Sequence, residues 1–254
     1  MNAQATAAAI DIRLCHTLEE CEQCVAMEKR IWQTDDVELV PSALIRVVEK
    51  TGGQVIGAFD QEKMIGFTFA VVGCRGQGAG LQVFLHSHMT AVLPEYQNRG
   101  VGRRLKLFQR EEALSRGIRL VEWTFDPLEL RNAYFNVMRL GAVMRRYIPN
   151  LYGITTSPLH SGIPTDRLVA EWHLDSARVR GVVAGDSLPA AAPTAVRIRI
   201  PAGIGALKEK DREAAVRIQT AAREDFQRLF SEGYAVTRVD NTAAAAEYVL
   251  EPWP

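Results

Sequence analysis

The segment from Val92 to Arg104 constrains the fold more than any other part of the chain. An apolar run ends at Pro94, a Gln-x-x-Gly-x-Gly turn follows from Gln97 to Gly102, and a helical pattern begins near Leu105. Free backbone N–H groups and the helix dipole make such a strand–turn–helix junction attractive to anions. Glycines lack Cβ atoms, so a phosphate can approach the backbone closely. The segment therefore predicts a phosphate-binding turn.

Two common phosphate loops do not fit this turn. The third glycine of the dinucleotide-binding fingerprint is absent, since Gly100 and Gly102 are followed by Leu105. No Gly-Lys-Ser/Thr follows either, which excludes a Walker loop. Basic side chains nevertheless surround the turn, namely Arg99, Arg103, Arg104 and Lys106.

Composition narrows the class of protein. The 254 residues are 47% hydrophobic and 24% charged, as expected of a globular chain with one large domain or two modest ones. Lys+Arg and Asp+Glu both number 30, so nucleic acid or a membrane surface is not the expected main partner. No apolar run approaches the ~18 residues of a membrane span. We expect a cytoplasmic protein without a secretory signal.

Cys21 and Cys24 have C-x-x-C spacing, with Cys15 and His16 nearby. Zinc binding is one interpretation. A zinc ribbon needs a second cysteine pair, however, and none follows. Both residues also fall one turn apart in an expected helix, so we predict buried thiols and no metal site.

The hydropathy pattern predicts an alternation of strands and helices through residue 152. Thr17 and Glu20 form a capping box at the start of the first helix. Expected strands cover 10–15, 54–59, 64–72, 81–93, 118–125 and 143–152. Expected helices cover 18–31, 41–50, 101–116 and 130–140.

The C-terminal part predicts a smaller α/β segment. Its strands are expected at 168–174, 196–200, 234–239 and 248–250, with 181–195 as a linker. Asp211 caps a helix reaching Glu232, whose apolar face carries Ala215, Ile218, Ala222, Leu229 and Phe230. This segment has too little core to stand alone, so we expect it to pack on the first domain. The predicted domains are 1–155 and 156–254.

His86 and His88 are the first candidates for catalysis. Residues two apart in a strand point to one face, so the two imidazoles would lie side by side just before the glycine turn. Such a pair can relay a proton from a substrate. The alternative is that both are hydrogen-bonded core histidines.

The string from Val92 to Arg104 resembles the coenzyme A pyrophosphate loop of the GNAT acyltransferases. The element order over residues 8 to about 155 resembles the GNAT core as well. This resemblance implies an α/β fold with a mixed, mostly antiparallel central sheet, followed here by a small C-terminal α/β extension. It also implies an acyl-CoA donor. The cofactor-binding residues that it implies are Thr90, Ala91, Val92, Gln97, Asn98, Arg99, Gly100, Val101, Gly102 and Arg103.

The His-x-His-x-x-Ala-Val stretch is similar to that of the arylalkylamine N-acetyltransferases. This similarity implies that His86 and His88 act together as the base that removes a proton from the amine. The family's general acid is a tyrosine. Alignment on Gly141 places Ala133 correctly but puts Leu130 at the family's asparagine and Val137 at its tyrosine.

Four further residues are candidates for proton transfer. Tyr134 or Asn136 can substitute for the tyrosine, and packing is the simpler interpretation of both. Glu122 and Asp126 are spare carboxylates near the expected cleft.

The stretches 123–128, 132–136 and 140–142 resemble a narrower group of acyltransferases with a similar C-terminal tail, over nearly the whole chain. Asn132 and Asn136 are expected to contact the cofactor. Some members of this group are N-succinyltransferases of amino acids. A succinyl or substrate carboxylate could therefore bind to one of three arginines, Arg131, Arg145 and Arg146. The alternative is that these arginines are solvated surface residues.

The sequence thus predicts an acyltransferase that moves an acetyl or succinyl group from a CoA thioester to the amine of a small molecule or amino acid. Two alternatives stay open: a non-catalytic acyl-CoA-binding or sensor module, and a protein N-acetyltransferase. The oligomeric state is not determined by the sequence, and a homodimer is compatible with it.

Overall fold

A computed structural model describes residues 10–33, 35–153, 162–242 and 245–253. The chain divides into two compact units, the first ending at Ile118 and the second beginning at Arg119. Within both units the strand pairs are antiparallel. The expectation of an α/β chain with a mostly antiparallel sheet is therefore confirmed.

The first unit is a four-stranded meander with three helices. Its strands follow one another in the order β1-β2-β3-β4. The elements are β1 (Asp11–Leu14), α1 (Leu18–Trp32), α2 (Ser42–Lys50), β2 (Gln54–Asp60), β3 (Lys63–Arg75), β4 (Gln82–Val92) and α3 (Val101–Ser115).

Helix α1 begins at the predicted capping box. The Glu20 N–H donates to Thr17 Oγ1 at 3.2 Å, and the Thr17 N–H donates to Glu20 Oε2 at 3.0 Å. Cys21 and Cys24 lie on the inward face of α1 and are fully buried. Together with buried Cys15 they are free thiols inside the apolar core of this unit, as predicted.

The second unit has one sheet with the order β5-β7-β6-β9-β10-β8. Its strands are β5 (Leu120–Phe125), β6 (Val143–Ile148), β7 (Arg167–His173), β8 (Val196–Pro201), β9 (Tyr234–Asn241) and β10 (Ala245–Pro252). Its helices are α4 (Leu130–Tyr134), α5 (Ala177–Ala184), α6 (Ile204–Lys210) and α7 (Arg212–Ser231), and a π-helical turn (Phe135–Arg139) continues α4.

The linker expected at 181–195 is wrong in its first part, because α5 extends to Ala184. Ser176 caps this helix by accepting from the Val179 N–H at 3.2 Å, and Gly185 ends it at a φ of 106°. Helix propensity in α5 is low, with three valines and a glycine, but burial of Val179 and Val182 outweighs it. Helix α6 was also missed.

Strand β7 follows residue 155 in the chain, yet it pairs with β5 on one side and β6 on the other. The sheet of the second unit therefore uses strands from both sides of the predicted boundary. The division into 1–155 and 156–254 stays a prediction.

Helix α7 anchors the core of the second unit. Asp211 Oδ1 accepts from the Ala214 N–H at 2.9 Å, which confirms the predicted cap. Phe226 is fully buried, with its ring centroid 5.7 Å from that of Tyr147 and 5.1 Å from that of Tyr248. The predicted apolar face omitted Phe226, although it lies one turn beyond Ala222.

We expect Phe226→Ala to lower the free energy of unfolding by about 3–5 kcal/mol, because it removes a large buried ring and leaves a cavity. Phe230→Ala on the same helix is the matched control, since that ring is only half-buried. Chemical denaturation of both variants measures the difference. Equal losses in the two variants would contradict this assignment of the core.

In the described residues, no helix combines the length and apolar character needed to cross a membrane.

Candidate active site

The glycine turn begins where β4 ends. The Leu93 N–H donates to Ile65 O at 2.9 Å, and Gln97 Nε2 donates to Val92 O at 3.0 Å, so the end of the strand is held on both sides. Gly100 then adopts the left-handed conformation, with φ 79° and ψ 0°. Residues with a Cβ rarely adopt this φ, which explains the glycine at position 100.

The turn is open on its outer side. A Cβ added to Gly100 would meet no atom within 4 Å, and one added to Gly102 would meet only Val92 Cγ2, at 3.8 Å. The hydrogen-bond ladder of α3 begins with the Arg104 N–H donating to Gly100 O at 3.0 Å. Earlier N–H groups of the helix point along its axis, out of the N-terminus. This geometry fits an anionic group.

Side chains brace the turn from outside. Tyr96 donates from its hydroxyl to Asp60 Oδ2 at 2.6 Å, and the Arg99 guanidinium lies 5.4 Å from the centroid of the Tyr96 ring. Arg30 and Glu95 form an ion pair at 3.2 Å. The turn is thus attached to β2 and α1 by these side chains.

Strand β4 carries a β-bulge at His88. Met89 pairs with Phe69 and Ser87 pairs with Ala70, so His88 is the additional residue. The ring centroids of His86 and His88 are 6.2 Å apart, and the Phe69 ring lies 6.2 Å from that of His88 in an edge-on arrangement. Both histidines therefore lie on one face, as the alternation predicts.

The environment of His88 favours its neutral form. The side chain reaches solvent, but the protein atoms packed around it lower the pKa of His88 below its ordinary value of 6.5 by desolvation. At neutral pH this imidazole can therefore accept a proton.

The opposite face of β4 holds a buried polar network that the sequence analysis missed. Lys106 of α3 donates to Ser87 Oγ at 3.0 Å and to Gln109 Oε1 at 2.7 Å. Thr68 Oγ1 lies 3.4 Å from Ser87 Oγ and 2.8 Å from Thr90 Oγ1. This chain reaches the end of β4 that the resemblance assigns to pantetheine. A signal was present, since Lys106 and Gln109 fall beside Leu105 on the inward face of α3.

Burial lowers the pKa of Lys106 to about 7. Unfolded lysine titrates near ~10.4, so the unfolded chain binds more protons between these values and folding stability rises with pH. Below pH 7 the cost of the buried ammonium is complete. We therefore expect the stability advantage of Lys106→Met over the wild type to shrink between pH 7 and 10, by up to about 1.4 kcal/mol per pH unit.

Chemical denaturation of the wild type and Lys106→Met between pH 7 and 10 measures the difference in their free energies of unfolding. The other titrating groups contribute equally to both proteins and cancel in this difference. Loss of the hydrogen bonds of Lys106 adds an offset that does not depend on pH. A difference that stays constant from pH 7 to 10 would contradict the low pKa.

In the second unit, Glu122 lies directly opposite Glu171, and both carboxylates are buried. Arg146 joins them, donating to Glu122 Oε1 at 2.6 Å and to Glu171 Oε1 at 3.2 Å. A bulge at Arg145 lets this neighbouring arginine reach Glu171 as well, with Nε 3.1 Å from Oε2. Burial alone would raise the pKa of Glu171, but hydrogen bonds from His173 and Arg145 hold it at about 2.

These contacts affect two predictions, the role of Glu122 as a base and the solvation of Arg145 and Arg146. Glu122 accepts a hydrogen bond from the Arg146 guanidinium, so its carboxylate already has a partner within the protein. Arg145 and Arg146 lie at the surface, with 40% and 43% of their side chains exposed, and each also binds a buried glutamate of the protein.

The remaining predicted residues lie along α4 and its π-helical continuation. Asn132 and Tyr134 are exposed, and the tyrosine side chain is 37% accessible. Asn136 is buried, and among the described residues its Nδ2 has no hydrogen-bond partner. Burying an amide N–H group without an acceptor costs free energy. Nδ2 of Asn136 is therefore a candidate donor to an acceptor atom of a bound ligand.

Comparison with protein-family models gave no match, and comparison with curated proteins gave none either. Solved structures do match. Arabidopsis thaliana NAA60 in complex with acetyl-CoA is 14% identical with a TM-score of 0.54, covering 66% of this chain and 100% of that chain. For yncA of Salmonella typhimurium, solved with its cofactor acetyl-CoA, the identity is 17%, the TM-score 0.52 and the coverage 67% and 98%.

A third structure, of a protein from Desulfovibrio desulfuricans assigned to the GNAT family, is 14% identical with a TM-score of 0.52. The alignment covers 65% of this chain and 99% of that chain. At these identities the likeness concerns the fold. The chain has the GNAT acetyltransferase fold, with about a third of its length in addition to it.

Proposed function

We propose that this protein is an acyltransferase that moves an acyl group from a CoA thioester to the amine of a small molecule or amino acid. One observation carries the proposal: a single strand, β4, presents two adjacent imidazoles and then ends in an open glycine turn at a helix N-terminus. The first feature suits removal of a proton from an ammonium group, and the second suits a pyrophosphate.

The donor would lie along the end of β4 and the turn. Backbone groups of Thr90, Ala91 and Val92 would pair with the pantetheine arm, and the amides of Asn98 to Arg103 would face the pyrophosphate. Gln97 holds the strand end in place. Asn132 and Asn136 are further candidates for contacts with the cofactor, and the buried Nδ2 of Asn136 can donate to an acceptor.

The histidines would supply the base. Neutral His88, with His86 beside it, would take one proton from the substrate ammonium, and the freed amine would attack the thioester carbonyl. Backbone N–H groups near Thr90 to Val92 would stabilise the oxyanion. When the intermediate collapses, the C–S bond breaks, the attacking nitrogen loses its second proton and the CoA thiolate takes up one proton. Tyr134 is the candidate donor of the proton to the thiolate and would regain one from the nitrogen, directly or through water. Glu122 is a secondary candidate base.

The ion pairs of two arginines favour acetyl over succinyl as the acyl group that is transferred. Arg145 and Arg146, two of the arginines that could receive a succinyl carboxylate, already bind Glu171 and Glu122. Arg131 remains as an exposed alternative.

A protein N-acetyltransferase is the closest alternative. One structural neighbour is named as a ribosomal-protein-S18-alanine N-acetyltransferase of Escherichia coli, at 15% identity with a TM-score of 0.50. A non-catalytic acyl-CoA-binding module is the second alternative, favoured by the valine at position 137.

The decisive experiment measures release of free thiol from acetyl-CoA with a panel of small amines and amino acids, with N-terminal peptides as a parallel arm. Catalysis predicts thiol release that depends on the acceptor. Binding of acetyl-CoA in calorimetry without acceptor-dependent release would instead support the sensor module. Turnover confined to peptides would support the protein N-acetyltransferase.

A further inference from the structure

A cleft of about 320 Å³ lies in the second unit, lined by Gly141, Val143, Arg145, His173, Ser176, Arg178 and Trp253. It lies between the start of β6, the end of β7 and the start of α5. None of the residues assigned above to the donor or to proton transfer lines it. Its size is at the lower end of the range for small-molecule sites.

Arg178 is the unusual member of this lining. Its Nε donates to Gly141 O at 3.0 Å and its Nη2 donates to Thr237 O, so its contacts are neutral carbonyls. Among the described residues no carboxylate forms an ion pair with it. Glu251, whose charge acts on Arg178, accepts instead from Thr237 Oγ1 and from the Ala192 N–H. Among the described residues this half-buried guanidinium thus has no direct ion-pair partner, and Glu251 acts on it only at a distance.

The other polar side chains of the cleft are basic or neutral. Arg145 and His173 both reach Glu171 and leave 40% and 39% of their side chains exposed. Arg146 is shared between Glu171 and Glu122, so the two arginines and the two glutamates of this cluster balance in charge. Ser176 begins α5, whose N-terminal dipole is also positive. No lining residue is acidic.

We propose that this cleft is a binding site for a small anion, a carboxylate or a phosphate group held by Arg178. Guanidinium groups bind both kinds of anion through paired N–H donors. Val143 and Trp253 supply apolar lining, so an anion with an apolar or planar body would fit better than a bare ion. The proposal does not depend on the acyltransferase function.

The test is calorimetric titration of the full chain with inorganic phosphate and, separately, with benzoate at constant ionic strength. We expect Arg178→Met to weaken binding at least tenfold, because it removes the cation that has only neutral carbonyls as direct partners. Arg180→Met on the same helix is the control, since Arg180 is exposed and does not line the cleft. The benzoate and phosphate arms show which anion class the site takes.

An anion that binds at the glycine turn instead of the cleft would have the same affinity for the wild type and for Arg178→Met. An unchanged affinity in this variant would therefore overturn the proposal. A second variant covers the case in which Arg178→Met does not fold. Ser176→Asp keeps a good helix cap and places a carboxylate in the cleft. We expect it to abolish benzoate binding and to raise Tm by about 2–4 °C, unlike Ser187→Asp outside the cleft. Retained benzoate binding with an unchanged Tm would also overturn the site.

Discussion

Replacing both His86 and His88 with alanine should lower kcat/KM by roughly 10²–10⁴, the range expected for loss of general base catalysis. The affinity for acetyl-CoA should change little, because the imidazoles lie upstream of the glycine turn on β4. Each single change should be milder if the remaining imidazole can take the proton. Steady-state kinetics and calorimetry together separate the two effects.

The pH profile gives a second readout of the same base. Protonated His88 cannot accept a proton, so kcat/KM should rise with pH, and the lowered pKa of His88 places the midpoint below 6.5. This limb should vanish in the double variant. His16→Ala is the control for loss of a histidine, because His16 lies on the surface beside Glu49. A double variant with the wild-type rate and profile would assign both residues to packing and direct attention to Glu122.

Gly102→Glu should weaken CoA binding by roughly 10²-fold or more. Like charges about 4 Å apart near a protein surface repel by about 4 kcal/mol. The fold should survive, since the nearest atom to an added Cβ is 3.8 Å away and a glutamate in the first helical turn suits the dipole. Calorimetric titration with CoA measures the loss.

Gly102→Ala is the matched control, because it adds a methyl group without charge. We expect it to retain most of the affinity. Wild-type affinity in the folded glutamate variant would show that the pyrophosphate does not bind at this turn. Equal losses in both variants would point to a steric cause.

Much of the first unit could be predicted from local signals. The capping box at Thr17, the glycine at the start of α3 and the alternation along β4 each act over a few residues, so the sequence displays them. The bulge at His88 and the hydroxyl partners of the buried Lys106 could not be predicted. A bulge depends on the register with β3, and a buried lysine depends on hydroxyl partners such as Ser87 that are distant in sequence.

The second unit was harder to predict for the same reason. The place of β7 between β5 and β6 follows from long-range pairing, which hydropathy does not show. Arg145 and Arg146 were expected to be solvated or to bind a substrate, whereas the bulge in β6 turns both toward Glu171. The catalytic and cofactor assignments stay predictions until the variants are measured.

The bulge in β4 also affects how related genes should be compared. Removing His88 alone would leave Ser87 opposite Ala70 and Met89 opposite Phe69, so every other pair of the strand would persist. Loss of a codon elsewhere in β4 would move part of the strand out of register and exchange its two faces. Natural length variation in this strand should therefore concentrate at residue 88, in relatives whose chemistry does not use this imidazole. Alignments that require a fixed spacing between His86 and Gly100 would miss relatives that lack this one residue.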